Sequence, residues 1–352
     1  GADAGAQRPA HVRPAALGAG ALVATRAFSR QQELEADRMR GIKPSDEDAE
    51  KEKQVIIEER RMRIENSPQA LLSEQVDAAL FRNHPYHLPV IGWMKEMEGL
   101  TRQDIMAFHS TWYHPNNAVL VLSGDITAAE LKPLAEKYYG PLPAHATPPR
   151  HWKTEPPHIA ARRVSLAHEN VKQPSLQRRY VAPSAAESVE RAMPIYVLSY
   201  LLGGGKTSAL YESLVVKQKL AAGVDVSYGF TSVGPSDFDI DITPEAGVPL
   251  EKIEQALDKE LARVREEGVS DASLARAKQR MKAEAVYARE GLTGISNIMG
   301  ALVTSGLPPE EFNRWAERID AVTPAQVRDA ARAVLVDEAS VTGLLLPKGA
   351  KQ

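Results

Sequence analysis

Cysteine is absent from all 352 residues. Its absence excludes a disulfide framework, thiolate-ligated zinc, iron–sulfur clusters and a cysteine nucleophile. It leaves the redox compartment open, because a chain of this length buries enough surface to fold without covalent staples. An excess of charge of one sign is lacking too. The 43 Lys and Arg against 46 Asp and Glu give a formal net charge of −3, so the chain as a whole offers no electropositive footprint for nucleic acid. No stretch approaches the roughly 18 apolar residues of a membrane span. Aromatics are sparse at 6 %. Trp93, Trp112, Trp152 and Trp315 stand singly, as core or rim residues do, and form no stacking platform. What remains is ordinary globular composition, 43 % hydrophobic and 25 % charged, in a length that suits about two domains.

Residues 1–30 differ from the rest. They hold ten Ala, four Gly and four Arg but one acid, Asp3, and show no helical or strand period. The expectation is a low-complexity, disordered arm. The run Ala15–Ala24 (AALGAGALVA) behind Arg8 and Arg13 also loosely resembles a signal-peptide core or a transit sequence. From Glu33 the texture turns charged and helix-like. Ser45 before Asp46-Glu47-Asp48 is a helix start, a cap followed by acids on the positive end of the dipole. That helix should reach about Glu65 and stop before Ser67-Pro68. Further helices are expected over 70–81, from Thr101 to about Tyr113, and over 127–139. Ala118–Ile126 (AVLVLSGDI) reads as a buried strand. Six prolines between Pro141 and Pro157 mark a linker. Beyond it, strands are expected near 162–169, 176–181, 224–230, 238–243 and 340–346, with helices near 189–202, 250–266 and 271–289.

The two halves rhyme. Leu100-Thr101 and Val322-Thr323 each open a helix, then a short break, then an apolar strand, and the two threonines are 222 residues apart. A period that long reads as domain duplication. The first half lacks a counterpart to the opening segment of the second. The expected organisation is an arm at 1–30, an incomplete first domain at 31–145, a Pro-rich linker at 146–162 and a second domain at 163–352.

Glu52 and Glu59 are seven residues apart, which is two helical turns and therefore one face. Val55 and Ile56 sit between them. A carboxylate among apolar residues is costly to bury unless it is paired or binds metal. The competing interpretation is a solvated glutamate helix, given Glu58, Glu65 and several arginines nearby.

An ordered series of segments carries a resemblance. Glu52–Arg63 (EKQVIIEERRMR), Asn66-Ser67-Pro68-Gln69-Ala70, His84-Pro85-Tyr86, Pro89-Val90-Ile91-Gly92 with Trp93, and Tyr113–Asp125 (YHPNNAVLVLSGD) together resemble the insulinase/pitrilysin zinc metallopeptidases. The likeness is to the bacterial members related to the mitochondrial processing peptidase, and it extends over about residues 33–347. It implies an α+β fold of two related domains, each a mostly antiparallel sheet with helices on one side, the first truncated here. It also implies a clamshell of two such chains around a peptide substrate, as a homodimer or with a related subunit, and zinc as cofactor. In that family an H-x-x-E-H helix gives two histidine ligands and a general base. A later glutamate gives the third ligand and leaves one zinc position for water. By register Glu59 matches that third ligand and Glu52 the glutamate that supports it.

None of the nine histidines forms H-x-x-E-H or H-E-x-x-H. The resemblance therefore implies a peptidase-family chain that lacks its zinc helix and is inactive alone. In two-chain members a helper subunit offers an Arg and a Tyr to the substrate. At those positions Leu214–Ala222 (LVVKQKLAA) has Val215 and Ala222. The alternative of another class is a non-catalytic assembly or peptide-binding subunit of the same fold. The family suggests export to the periplasm. Other features are expected to be structural. Gly203-Gly204-Gly205-Lys206-Thr207-Ser208 lacks the first glycine of a phosphate loop, whose place Tyr200 takes. His84 and His87 read as loop structure, Arg178-Arg179-Tyr180 as an exposed strand end, and Asp239 with Asp241 as a solvated strand face.

Overall fold

The computed structural model describes residues 25–149, 153–288 and 292–349. They form two compact units that alternate along the sequence: one from 25–61 and 88–149, the other from 62–87, 153–288 and 292–349.

The first unit is helical. Helix α1 (Thr25–Gly41) begins inside the expected arm, before the change of texture at Glu33, and residues 1–24 of that arm lie outside the described ones. Helix α2 (Asp46–Arg60) starts as anticipated. Ser45 Oγ accepts from the Asp48 amide and the Asp48 carboxylate accepts from the Ser45 amide, a reciprocal cap. It runs on as a π-turn to Glu65. Helix α3 (Pro68–Leu80) belongs to the second unit. Helices α4 (Met94–Glu98), α5 (Arg102–Trp112) and α6 (Ala128–Tyr139) complete the first. Helix α1 packs on α6, where Ser29 and Tyr138 hydroxyls lie 2.8 Å apart.

The strand expected at Ala118–Ile126 does not form a ladder. The segment is irregular, and Val119 and Leu120 are about half-exposed. A strand exists only by pairing, and no other segment described in this unit offers it an edge.

The second unit holds a five-stranded sheet. Its strands are β1 (Arg162–His168), β2 (Ser175–Ala182), β3 (Ala221–Tyr228), β4 (Ser236–Pro244) and β5 (Ser340–Pro347), in the order β1-β5-β2-β4-β3. Only β1 and β5 run parallel; the other pairs are antiparallel. Helices α7 (Val189–Gly203), α8 (Leu250–Glu267), α9 (Asp271–Tyr287), α10 (Leu292–Thr304), α11 (Glu311–Ala321) and α12 (Pro324–Val334) share the main core with one face of the sheet. Ile253, Leu257, Leu261 and Val264 of α8 are fully buried there, as their helical spacing requires, each contributing about 1.5–3 kcal/mol of transfer free energy. The opposite face of β1, β5 and β2 is covered by α3, through Leu72, Val76 and Leu80 against Val341 and Leu345. The approach is so close that a Cβ on Gly343 would lie 2.7 Å from Val76 Cγ2.

Candidate metal-binding face

Helix α2 carries both glutamates. Glu52 is exposed, Glu59 half-buried, and between them Val55 is 58 % exposed while Ile57, two residues on, is buried. The helix is held by its neighbours. Arg60, itself buried, donates to the Gly92 carbonyl at 2.9 Å and lies 6.0 Å from the Trp93 ring. Lys53 donates to the Leu100 carbonyl at 3.3 Å. The pair therefore sits on a fixed helix, two turns apart as the spacing predicts.

The donor set does not fit a catalytic zinc. Among the described residues no group of three or more His, Cys, Asp or Glu is placed to hold a metal ion. Glu59 is one carboxylate, and two neutral imidazoles would still be needed.

Other candidates fall into structural roles. His84 is buried, its ring 4.4 Å from Tyr86 and 5.9 Å from Phe81, and His87 Nδ1 lies 2.8 Å from the His84 carbonyl. Both are loop structure. Val215 packs partly against the core, and Ala222 is exposed on β3, an edge strand of the sheet. The glycine run follows α7 and turns beneath Arg280. At Gly205 φ is +112°, and an added Cβ would lie 2.7 Å from the guanidinium. Trp315 packs edge-on with Tyr196 and Phe230 at 5.0 Å each; Trp152 lies outside the described residues.

Arg178-Arg179-Tyr180 is corrected by the structure. It is the middle of β2, between β5 and β4, and all three residues are buried. Arg178 pairs with Glu254 at 2.9 Å and Asp258 at 3.0 Å on α8. On the other face Arg179 pairs with Asp77 of α3 and with Asp239 at 3.1 Å. Asp239 and Asp241 are consequently not a solvated face. Burial pushes the Asp239 carboxyl well above its usual range, opposed by Arg179, and burial raises Asp241 as well. Composition gave no sign of this cluster, because its partners come from distant elements.

Glu155 is a second group that sequence reasoning passed over. Its carboxylate accepts from the backbone amides of Arg82, Asn83 and His84 at 2.7, 2.9 and 3.0 Å. The Pro-rich segment is therefore anchored at this point. Beside it lies an open cavity of about 770 Å³, lined among others by Glu155, Pro183, Glu187, Arg191, Val233 and Asp329.

The sequence matches the family profile described as the peptidase M16 inactive domain over residues 99–281, just over half of the chain. The chain belongs to the M16 peptidase family. It is 29 % identical over 279 residues to the zinc protease PqqE of Helicobacter pylori, a match covering 77 % of this chain and 61 % of that protein. Among solved structures it is similar to a protease from Helicobacter pylori, with a TM-score of 0.85 and 24 % identity over 92 % of this chain and 78 % of the other. It is also similar to a peptidase M16 inactive domain from Pseudomonas fluorescens, with a TM-score of 0.80 and 19 % identity over 94 % and 77 %. At these identities the solved structures establish the fold. The chain spans about three fifths of the length of the curated relative it matches. No helix among the described residues is long and apolar enough to cross a membrane.

Proposed function

We propose that this chain is part of an M16-type zinc metalloendopeptidase that acts on peptides. It supplies Glu59 as a carboxylate ligand, with Glu52 supporting it, and these 352 residues do not cleave peptides by themselves. The carrying observation is the M16 match over 99–281 in a sequence without any H-x-x-E-H motif. One carboxylate without the two imidazoles gives neither tight zinc nor an activated water. In this reading a related chain completes the assembly, as a homodimer or a heterodimer whose other member carries the Arg and Tyr that Val215 and Ala222 replace. Export to the periplasm is the location proposed, on the resemblance alone.

A second reading is a non-catalytic peptide-binding or assembly subunit of the same fold. Val215 and Ala222 favour it, as does the likeness to a structure described as an inactive domain. One experiment bears on both readings. Fluorescent unstructured peptides are titrated with the purified chain, and the mixtures are then examined by mass spectrometry. Saturable binding with the peptide intact supports the proposal. Cleavage products contradict the claim of inactivity. Absence of any binding leaves assembly as the role.

A further inference from the structure

Helix α3 is held on the sheet by its apolar stripe and, toward its middle, by polar side chains of β2. Arg179 pairs with Asp77 of α3 and donates to Ser73 Oγ at 3.4 Å. Gln177 Nε2 donates to Ser73 Oγ at 3.0 Å. Each of these β2 side chains is shared with a carboxylate directly opposite on β4: the register sets Arg179 against Asp239 and Gln177 against Asp241. Arg179 Nε lies 3.1 Å from Asp239 Oδ1, and the Gln177 side chain hydrogen-bonds Asp241. One guanidinium and one amide therefore serve α3 and β4 together.

The charge around them is lopsided. Asp237 lies on the same face of β4 as Asp239 and Asp241. On β3, Asp225 stands opposite Asp241 and Ser227 opposite Asp239. β5 sets Val341 and Gly343 beside Arg179 and Gln177, and neither titrates. On α3 the acids are Glu74 and Asp77. Among the described residues Arg179 is the cation that acts on Asp239, against Asp237, Asp77 and Asp241. Burial raises the carboxyls of Asp239 and Asp241, against the pull of Arg179. Protonated, they leave the guanidinium to Asp77 and the amide to Ser73. Ionised, they draw both donors toward β4 and set like charge opposite Asp77. We propose that α3 is a pH-sensitive latch, gripped by Arg179 and Gln177 at mildly acidic pH and loosened as the β4 carboxylates ionise. A carboxyl raised in the folded state contributes stability that is present at low pH and lost as pH rises through its folded value, and the grip on α3 follows it. Leu72, Val76 and Leu80 stay packed on Val341 and Leu345, and Arg162 of β1 donates to the Ala79 carbonyl, so α3 loosens without leaving the sheet. The latch is independent of Glu59 and of the reading of function above.

The test is hydrogen exchange of the full chain, read by mass spectrometry at about pH 5.5 and about pH 8, on either side of neutrality and above the ordinary carboxylate range. Rates are divided by the intrinsic rate at each pH, and α12 serves as internal reference. Protection of the α3 amides relative to α12 should fall about tenfold at the higher pH, the change that one pKa unit of differential ionisation brings. The double variant Asp239→Asn, Asp241→Asn carries neutral groups at both positions and should keep α3 protected at both pH values. Asp77→Asn removes the helix end of the tie and leaves β4 intact. Its α3 should exchange at the lower pH as the parent's does at the higher. Exchange in α12 equal to the parent's shows that each variant remains folded. The proposal is overturned if α3 protection in the parent is equal at the two pH values or greater at the higher one. It is overturned as well if the double variant loses protection as the parent does, or if Asp77→Asn keeps the parent's pH dependence.

Discussion

Glu155 shows how much one side chain fixes. Burial alone would raise its pKa, but three backbone amides outweigh that and hold it below the usual glutamate value. A depressed carboxylate stabilises the fold above its unfolded pKa, and the contribution is lost as pH falls through the folded value. Glu155→Gln should therefore cost about 1–3 kcal/mol at neutral pH, and the gap from the parent should narrow below about pH 4, as read by urea unfolding at both pH values. Arg179 is the complementary case. Arg179→Met leaves Asp77 and Asp239 facing each other without their cation, and should cost about 3–5 kcal/mol in the same assay. Neither role was legible in the sequence. The partners of Arg179 are Asp77, 102 residues earlier, and Asp239 on another strand, and Glu155 sat in a run that read only as proline-rich.

Helices and their caps were the legible elements. Ser45, Thr101 and Thr323 each cap where cap residue and downstream polar side chain predict, because capping is decided within four residues. Thr323→Ala should cost about 1 kcal/mol of the second unit's stability, visible as a lower melting temperature. Strands are decided by neighbours, so the rhyme between the halves misled at one place. β5 is paired on both edges, whereas the similar run at 118–126 joins no ladder among the described residues. Hydrogen exchange should show amides 341–346 protected and amides 119–122 exchanging fast; equal protection would contradict the assignment. The placement of α3 on the sheet was likewise invisible, since its apolar stripe names no partner. Gly343→Ala should force Val76 and α3 away from β5, costing about 1–3 kcal/mol, as measured by denaturant unfolding.

At the scale of the whole molecule, family and fold were legible because they rest on an ordered series of segments, and the match over 99–281 bears them out. The candidate site was legible only as a register. Glu52 and Glu59 do share a helix face, yet the histidines that would complete a zinc site are not in the sequence as a motif. The account's central claim is that this M16 chain does not hydrolyse peptides unaided. The most direct measurement is cleavage of a quenched, unstructured peptide by the purified chain supplied with Zn2+, with and without chelator, beside Glu59→Gln. The account predicts no chelator-sensitive cleavage. Chelator-sensitive cleavage that Glu59→Gln abolishes would contradict it, and would mean that ligands outside the H-x-x-E-H pattern complete a working centre.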